Sequence, residues 1–242
     1  GQLVFYKSEQ GICGNQDKEP HKHSAFARPV LAAEEAQPKI ANTQVLRVYR
    51  LAMHIPYSTF SRYYFDSKIE KVKTFWADTE AFLNEMYLRD LGVRFEVVND
   101  ERLIIKDATK ETFASTRNAS YVKDNSTIVI NNLIGENSYD VGISLVYTSS
   151  QQSGIRGLAY LEGVYQPNTK ADAVAVLTKE VIAHEIGHLF GGRHTFGSHK
   201  GSAAYDSEKT ELGSGTSVMS YGSPRDFFSL SSIERIRKRL TQ

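Results

Sequence analysis

The 242-residue sequence has a single cysteine, Cys13, so no disulfide can close within the chain and a disulfide-stapled scaffold is excluded. It has no apolar run near the ~20 residues that a membrane-spanning helix requires. It has no charge excess either: 29 basic and 28 acidic side chains leave a net charge of +1. No basic stripe is interleaved with aromatics, which argues against a nucleic-acid partner. The basic run "RIRKRL" near the C-terminus reads as the solvated face of a last helix. The N-terminus shows neither the charged lead nor the long apolar stretch of a signal peptide. Proline is scarce, and three of the six fall before residue 45.

Hydrophobic residues make up 40% of the chain, enough for one sizeable core. The sequence divides at about residue 44. Residues 1–44, with "GNQDKEPHKH" and "ARPVLAAEEAQPK", read as an extended leader or linker, and residues 45–242 as the compact domain. "VLRVYRLAMHI" (Val45 to Ile55) carries apolar residues on both parities, as an inner strand covered on both faces does. Ile69, Val72, Trp76, Thr79, Leu83 and Met86 recur at steps of three and four, which predicts a long helix stopped by Gly92. "VRFEVVND", "RLIIKD" and "YDVGISLVYTSS" are expected to be strands, and "STIVINNLIG" fits strand or helix. "GIRGLAYLEGVY" suits an edge strand close to another backbone. A helix is expected from Leu177 through Gly191, a glycine- and serine-rich loop from Gly197 to Gly215, and a last helix over about Ser229 to Leu240. Strands alternating with helices indicate an α/β layer architecture.

The stretch "AHEIGHLFGGRH" concentrates the chemistry. His184 and His188 are four apart, so a helix puts both imidazoles on one face, one turn apart, where they can share a metal. Glu185 lies beside them and is a candidate base for a metal-bound water. His194 follows His188 by six residues, ~9 Å farther along a continuous helix. Metal–nitrogen bonds of ~2.0–2.1 Å cannot span that, so the chain must turn sharply. Gly191 is the residue that permits it, because glycine accepts positive φ. Three histidines leave the fourth zinc position open, the catalytic arrangement rather than the structural one. His21 and His23 in "HKH" read as solvated side chains of the leader, and neither His54 nor His199 has a partner at ligand spacing.

This extended pattern is the metzincin signature, and Met219 in the downstream "GTSVMSYG" resembles the methionine of the Met-turn beneath the zinc. With "LRVYRLAM", "LRDLGVRFEVV", "SYDVGISLVY" and "GSGTSVMSY", the chain resembles the bacterial reprolysin-like (adamalysin-related) metallopeptidases over most of Val45 to Leu240. The resemblance implies an α+β metzincin-type fold: a twisted mixed sheet with a long backing helix, an active-site helix and a C-terminal helix. It implies a zinc endopeptidase acting on protein or peptide substrates, monomeric, secreted or at the cell surface of a bacterium. Substrate would lie along an upper edge strand within Gly157 to Tyr165, and "GSPRDFF" would help wall the pocket after the cut, with Phe227 and Phe228 either lining it or lying in the core. Thr195 departs from animal reprolysins, which usually carry Asp after the third histidine. Tyr221, two residues after Met219, has the spacing of a tyrosine that approaches the zinc in serralysins and astacins. Calcium rests on family analogy alone, since "NNLIGENSYD" has no calcium-loop pattern. An inactive peptide-gripping homologue and a structural zinc protein are the competing classes; an intact Glu185 opposes the first and the open fourth position the second.

The lone cysteine then has a candidate task. A thiolate is a strong zinc ligand, and Cys13 on the open position would hold the enzyme latent. Its surroundings resemble the matrixin pro-segment motif at Cys13, Gly14 and Asp17 and depart from it at Ile12, where matrixins place arginine.

Overall fold

The computed structural model describes residues 45–113, 118–147, 156–198 and 207–241. Cys13, His21, His23, His199 and the leader of residues 1–44 lie outside the described residues. The main elements run β1 (Arg47–His54), α1 (Tyr57–Phe60), α2 (Ile69–Leu91), β2 (Val93–Val97), α3 (Ala119–Ile134), β3 (Val141–Leu145), β4 (Gly157–Ala159), β5 (Ala173–Ala175), α4 (Lys179–Leu189), β6 (His194–Phe196), β7 (Ser207–Glu211) and α5 (Leu230–Leu240).

A five-stranded mixed sheet in the order β2-β1-β3-β5-β4 forms the frame. β1 pairs parallel with β2 from Arg47↔Val93 and with β3 from Leu51↔Val141. The two pairings meet at Leu51, with residues 47–51 along β2 and 51–54 along β3. Residues 47–50 alternate between half-buried and exposed, whereas 51–54 are all buried. β4 alone runs antiparallel, on β5, and forms the edge.

Side-chain alternation on β5 sorts the helices onto two faces. Ala173 and Ala175 join the main core with Ile182 and Ile186 of α4, while Val174 packs with Val122 of α3 on the other face. The long backing helix α2 buries Val72, Trp76, Thr79, Leu83 and Met86 as the spacing requires. It ends at Gly92, whose φ of 69° is the left-handed conformation that glycine adopts without penalty. Tyr87 is fully buried and donates its hydroxyl to the Ala183 carbonyl of α4 at 2.7 Å. Its ring meets Phe95 at 4.9 Å and Phe228 at 4.8 Å, both edge-on, a geometry that contributes ~0.5–1.5 kcal/mol per pair beyond area burial. One side chain thus ties α2, β2, the metal-candidate helix and the segment before α5 together.

The structure decides one open expectation and corrects others. "STIVINNLIG" belongs to a helix, α3: Val122, Ser126, Ile130 and Ile134 are buried at steps of four, and the Asn118 side chain caps it by accepting from Ser120 N. "RLIIKD" is not a strand; a turn of 3-10 helix covers Glu101–Leu103, and Ile104 makes only an isolated bridge to Ile55. The proposed loop from Gly197 to Gly215 contains β7, paired parallel with β6. In the edge segment only Gly157–Ala159 is strand, and Gly163–Tyr165 is a 3-10 turn. No helix among the described residues is long and apolar enough to cross a membrane.

His54, without a ligand-spaced partner in sequence, is a core residue. It is fully buried, its Nδ1 is 3.1 Å from Ser144 Oγ, and Phe113 packs edge-on against its ring. Burial pushes its pKa from 6.5 down to about 3. Between those values the unfolded chain binds a proton that the folded chain refuses, so stability falls as pH drops from about 6.5 towards 3. The expected slope from this one group is on the order of 1 kcal/mol per pH unit. Urea unfolding of His54→Asn should show an acid limb shallower by about that amount; a limb of unchanged slope would refute the assignment.

Candidate metal centre

α4 is buried almost all round, and this explains its composition. Val181, Ile182, Ala183, Ile186 and Leu189 are all within the core, and Gly187 faces the sulfur of Met219. A Cβ on Gly187 would stand 2.4 Å from Met219 Sδ, and one on Gly192 would stand 3.1 Å from it. The two glycines thus leave a slot that the fully buried methionine fills.

The helix stops where the histidine spacing requires. Gly192 N donates to Gly187 O at 2.8 Å and Gly191 N to His188 O at 2.9 Å, the paired bonds of a Schellman motif. Gly191 has φ of 96°, open to glycine and strained for other residues. The chain turns back, and β6 delivers His194.

Among the described residues, His184, His188 and His194 form the one histidine-rich group able to hold a metal. Their Nε2 atoms are 3.1, 3.1 and 3.2 Å apart. Tetrahedral zinc at ~2.0–2.1 Å asks for ligand nitrogens about 3.3–3.4 Å apart, so the set fits. The outward nitrogens fix the tautomers: His184 Nδ1 donates to Val218 O and His188 Nδ1 to Gly192 O, each at 2.7 Å. Those two Nε2 atoms are left as lone-pair donors aimed at a common point. Burial, then the neighbouring imidazoles, drive His184 well below the usual histidine range, and burial takes His188 to about 3. Two of the rings are held neutral and ready to ligate.

Glu185 is 5% exposed and lies against the start of β4, where a Cβ on Gly157 would fall 2.3 Å from its Oε1. Burial raises its pKa from 4.5 to about 8, against the pull of the Arg225 guanidinium. It is the one carboxylate of α4 sealed in this way, and proton transfer near neutral pH suits it.

The segment around Met219 is tied to β6 and to the residues that follow it. Thr195 N donates to Met219 O at 3.1 Å, Val218 N to Phe227 O at 2.8 Å and Arg225 N to Thr216 O at 2.8 Å, so "GSPRDFF" folds back on residues 216–218. Phe228 is buried against Tyr87 and is a core residue, whereas Phe227 is 38% exposed. The Tyr221 hydroxyl lies 3.2 Å from His194 Nε2. Two contributors had no sequence signal of their own: Gly157, which makes room for Glu185, and Glu211, whose contacts reach β6 from sixteen residues beyond Thr195.

The profile described as metallo-peptidase family M12B, reprolysin-like, matches residues 69–242. No curated protein matches the chain. Among solved structures, one described as a chaperone–substrate complex is 13% identical with a TM-score of 0.47, and covers 80% of this chain and 35% of its own. Metalloproteinase-II from Bacteroides fragilis is 15% identical with a TM-score of 0.45, and covers 82% of this chain and 55% of its own. This chain therefore spans about a third and about half of those two.

Proposed function

Because this chain belongs to the M12B reprolysin-like metallopeptidase family, we propose that it is a zinc endopeptidase that cuts extended peptide segments, with His184, His188 and His194 as the zinc ligands. The observation that carries this reading is the convergence of three Nε2 atoms within 3.2 Å of one another beside a sealed carboxylate. Zinc, when bound, supplies Lewis-acid polarisation of the scissile carbonyl and acidifies water. Glu185 takes the proton of the attacking water and later delivers it to the leaving amine. The amide C–N bond breaks, a new C–O bond forms, and no covalent enzyme adduct is involved. The Tyr221 hydroxyl, beside His194 Nε2, donates a hydrogen bond to the oxygen on which charge develops. Met219 supports the imidazoles from below.

Substrate pairs antiparallel with the free edge of β4, through main-chain hydrogen bonds. The edge position of β4 and the closeness of Gly157 to Glu185 support this, since a peptide laid there passes beside the proton carrier. We further read residues 1–44 as a pro-segment whose Cys13 thiolate ligates the zinc and keeps the enzyme latent, and the protein as secreted or displayed at the cell surface.

One experiment tests both levels. The full, zinc-loaded chain and its Cys13→Ser variant are assayed on casein and gelatin, with and without chelator. The variant should hydrolyse both substrates at least tenfold faster than the uncut parent, and chelator should abolish the activity. Equal rates would remove the switch. A Cys13→Ser protein that holds zinc and cuts neither substrate would remove the peptidase.

A further inference from the structure

His184 and His188 are carried by α4, whereas His194 sits on a three-residue strand. Its pairing with β7 is irregular, with a register shift between His194 and Phe196. The next residue, Thr195, is fully buried, and so is Ser217, two residues before Met219. Both hydroxyls point at one carboxylate. Thr195 Oγ1 lies 2.5 Å and Ser217 Oγ 2.7 Å from Glu211 Oε2. The other oxygen, Oε1, accepts from the backbone N–H of Thr216 at 3.2 Å and of Ser217 at 3.1 Å. A carboxylate that accepts four bonds with no proton of its own is a charge-assisted clamp, roughly twice as strong per bond as neutral pairs. Gly215 is part of the arrangement: a Cβ there would come within 2.8 Å of Oε2.

We propose that Glu211 is the positioning residue for the third zinc ligand: its carboxylate ties the side chain of Thr195, next to His194, to the turn that carries Met219. It never touches the metal or substrate. It acts through Thr195 on the aim of the His194 ring, and the inference rests on the reading of His194 as a ligand. Outer-shell partners of this kind are typically worth 10–100-fold in metal affinity.

The test measures zinc affinity by competition with a chromophoric chelator, and the visible ligand-field bands of the cobalt(II)-loaded protein. Glu211→Gln keeps the shape and removes the charge and one acceptor; it should weaken zinc binding 10–100-fold and shift or weaken the cobalt bands. In a His194→Gln background, Glu211→Gln should cost less than twofold more, because the ligand it positions is already gone. A general loss of fold stability would instead cost the same in both backgrounds, and that result would overturn the proposal. So would a zinc affinity within threefold of the parent. Should Glu211→Gln fail to fold, Thr195→Val, which deletes one donor at constant volume, carries the same comparison: loss dependent on His194 supports the link, and no loss or equal loss overturns it. If His194→Gln alone leaves zinc affinity unchanged, the ligand assignment itself fails and this inference with it. If His194→Gln is effective and position 211 is not, only the clamp fails.

Discussion

Glu185→Gln is expected to lower peptide hydrolysis by about 10²–10⁴-fold while zinc stays bound at one ion per chain. Glutamine has nearly the same shape, so the packing against Gly157 and the helix is kept. What it lacks is a proton-accepting oxygen of carboxylate basicity. The three imidazoles and their Nδ1 bonds to Val218 and Gly192 do not involve residue 185, so affinity for the metal should change little. kcat/KM on a fluorogenic peptide, measured with zinc content on the same sample, decides the matter. More than a tenth of the parent activity at full zinc loading would show that the proton goes elsewhere.

The second large effect comes from a residue with no chemistry at all. Gly157→Ala places a Cβ 2.3 Å from Glu185 Oε1 and 2.7 Å from its Cδ, about an ångström inside ordinary contact. Neither side yields easily. α4 is pinned through the Ala183 carbonyl to Tyr87, and β4 is paired along its length with β5. The carboxylate is the movable part, and displacing a reacting group by ~1 Å costs on the order of 10²-fold in rate. Zinc affinity should stay near the parent value, because no imidazole is touched. A kcat within threefold of the parent would mean that Glu185 has room to spare.

How much of this was visible in the sequence depended on the range of the interaction. The four-residue step between His184 and His188 and the glycine break at 191 are local, and helix geometry alone dictates them. The periodicity of α2 was legible for the same reason. α3 was harder, because "STIVI" is rich in β-branched residues and its burial at steps of four becomes decisive only when the sheet supplies a surface to face. β5 has three residues, too few for alternation to register. Thr195 reads as a departure from animal reprolysins, but nothing near it announces that Glu211 reaches it across a loop. Gly157 looked like one more glycine in an edge strand; only the position of Glu185 gives it meaning.

The slot between Gly187 and Gly192 has one more consequence, in redox chemistry. A thioether is the side chain most readily converted to a sulfoxide, and the added oxygen needs space and access. Met219 has neither: it is fully buried, and its sulfur fills the volume that two missing β-carbons leave. Peroxide must therefore wait for this layer to open. Once oxidised, the polar sulfoxide no longer fits between the glycines, so damage at Met219 marks a molecule that has already come apart and hinders its return.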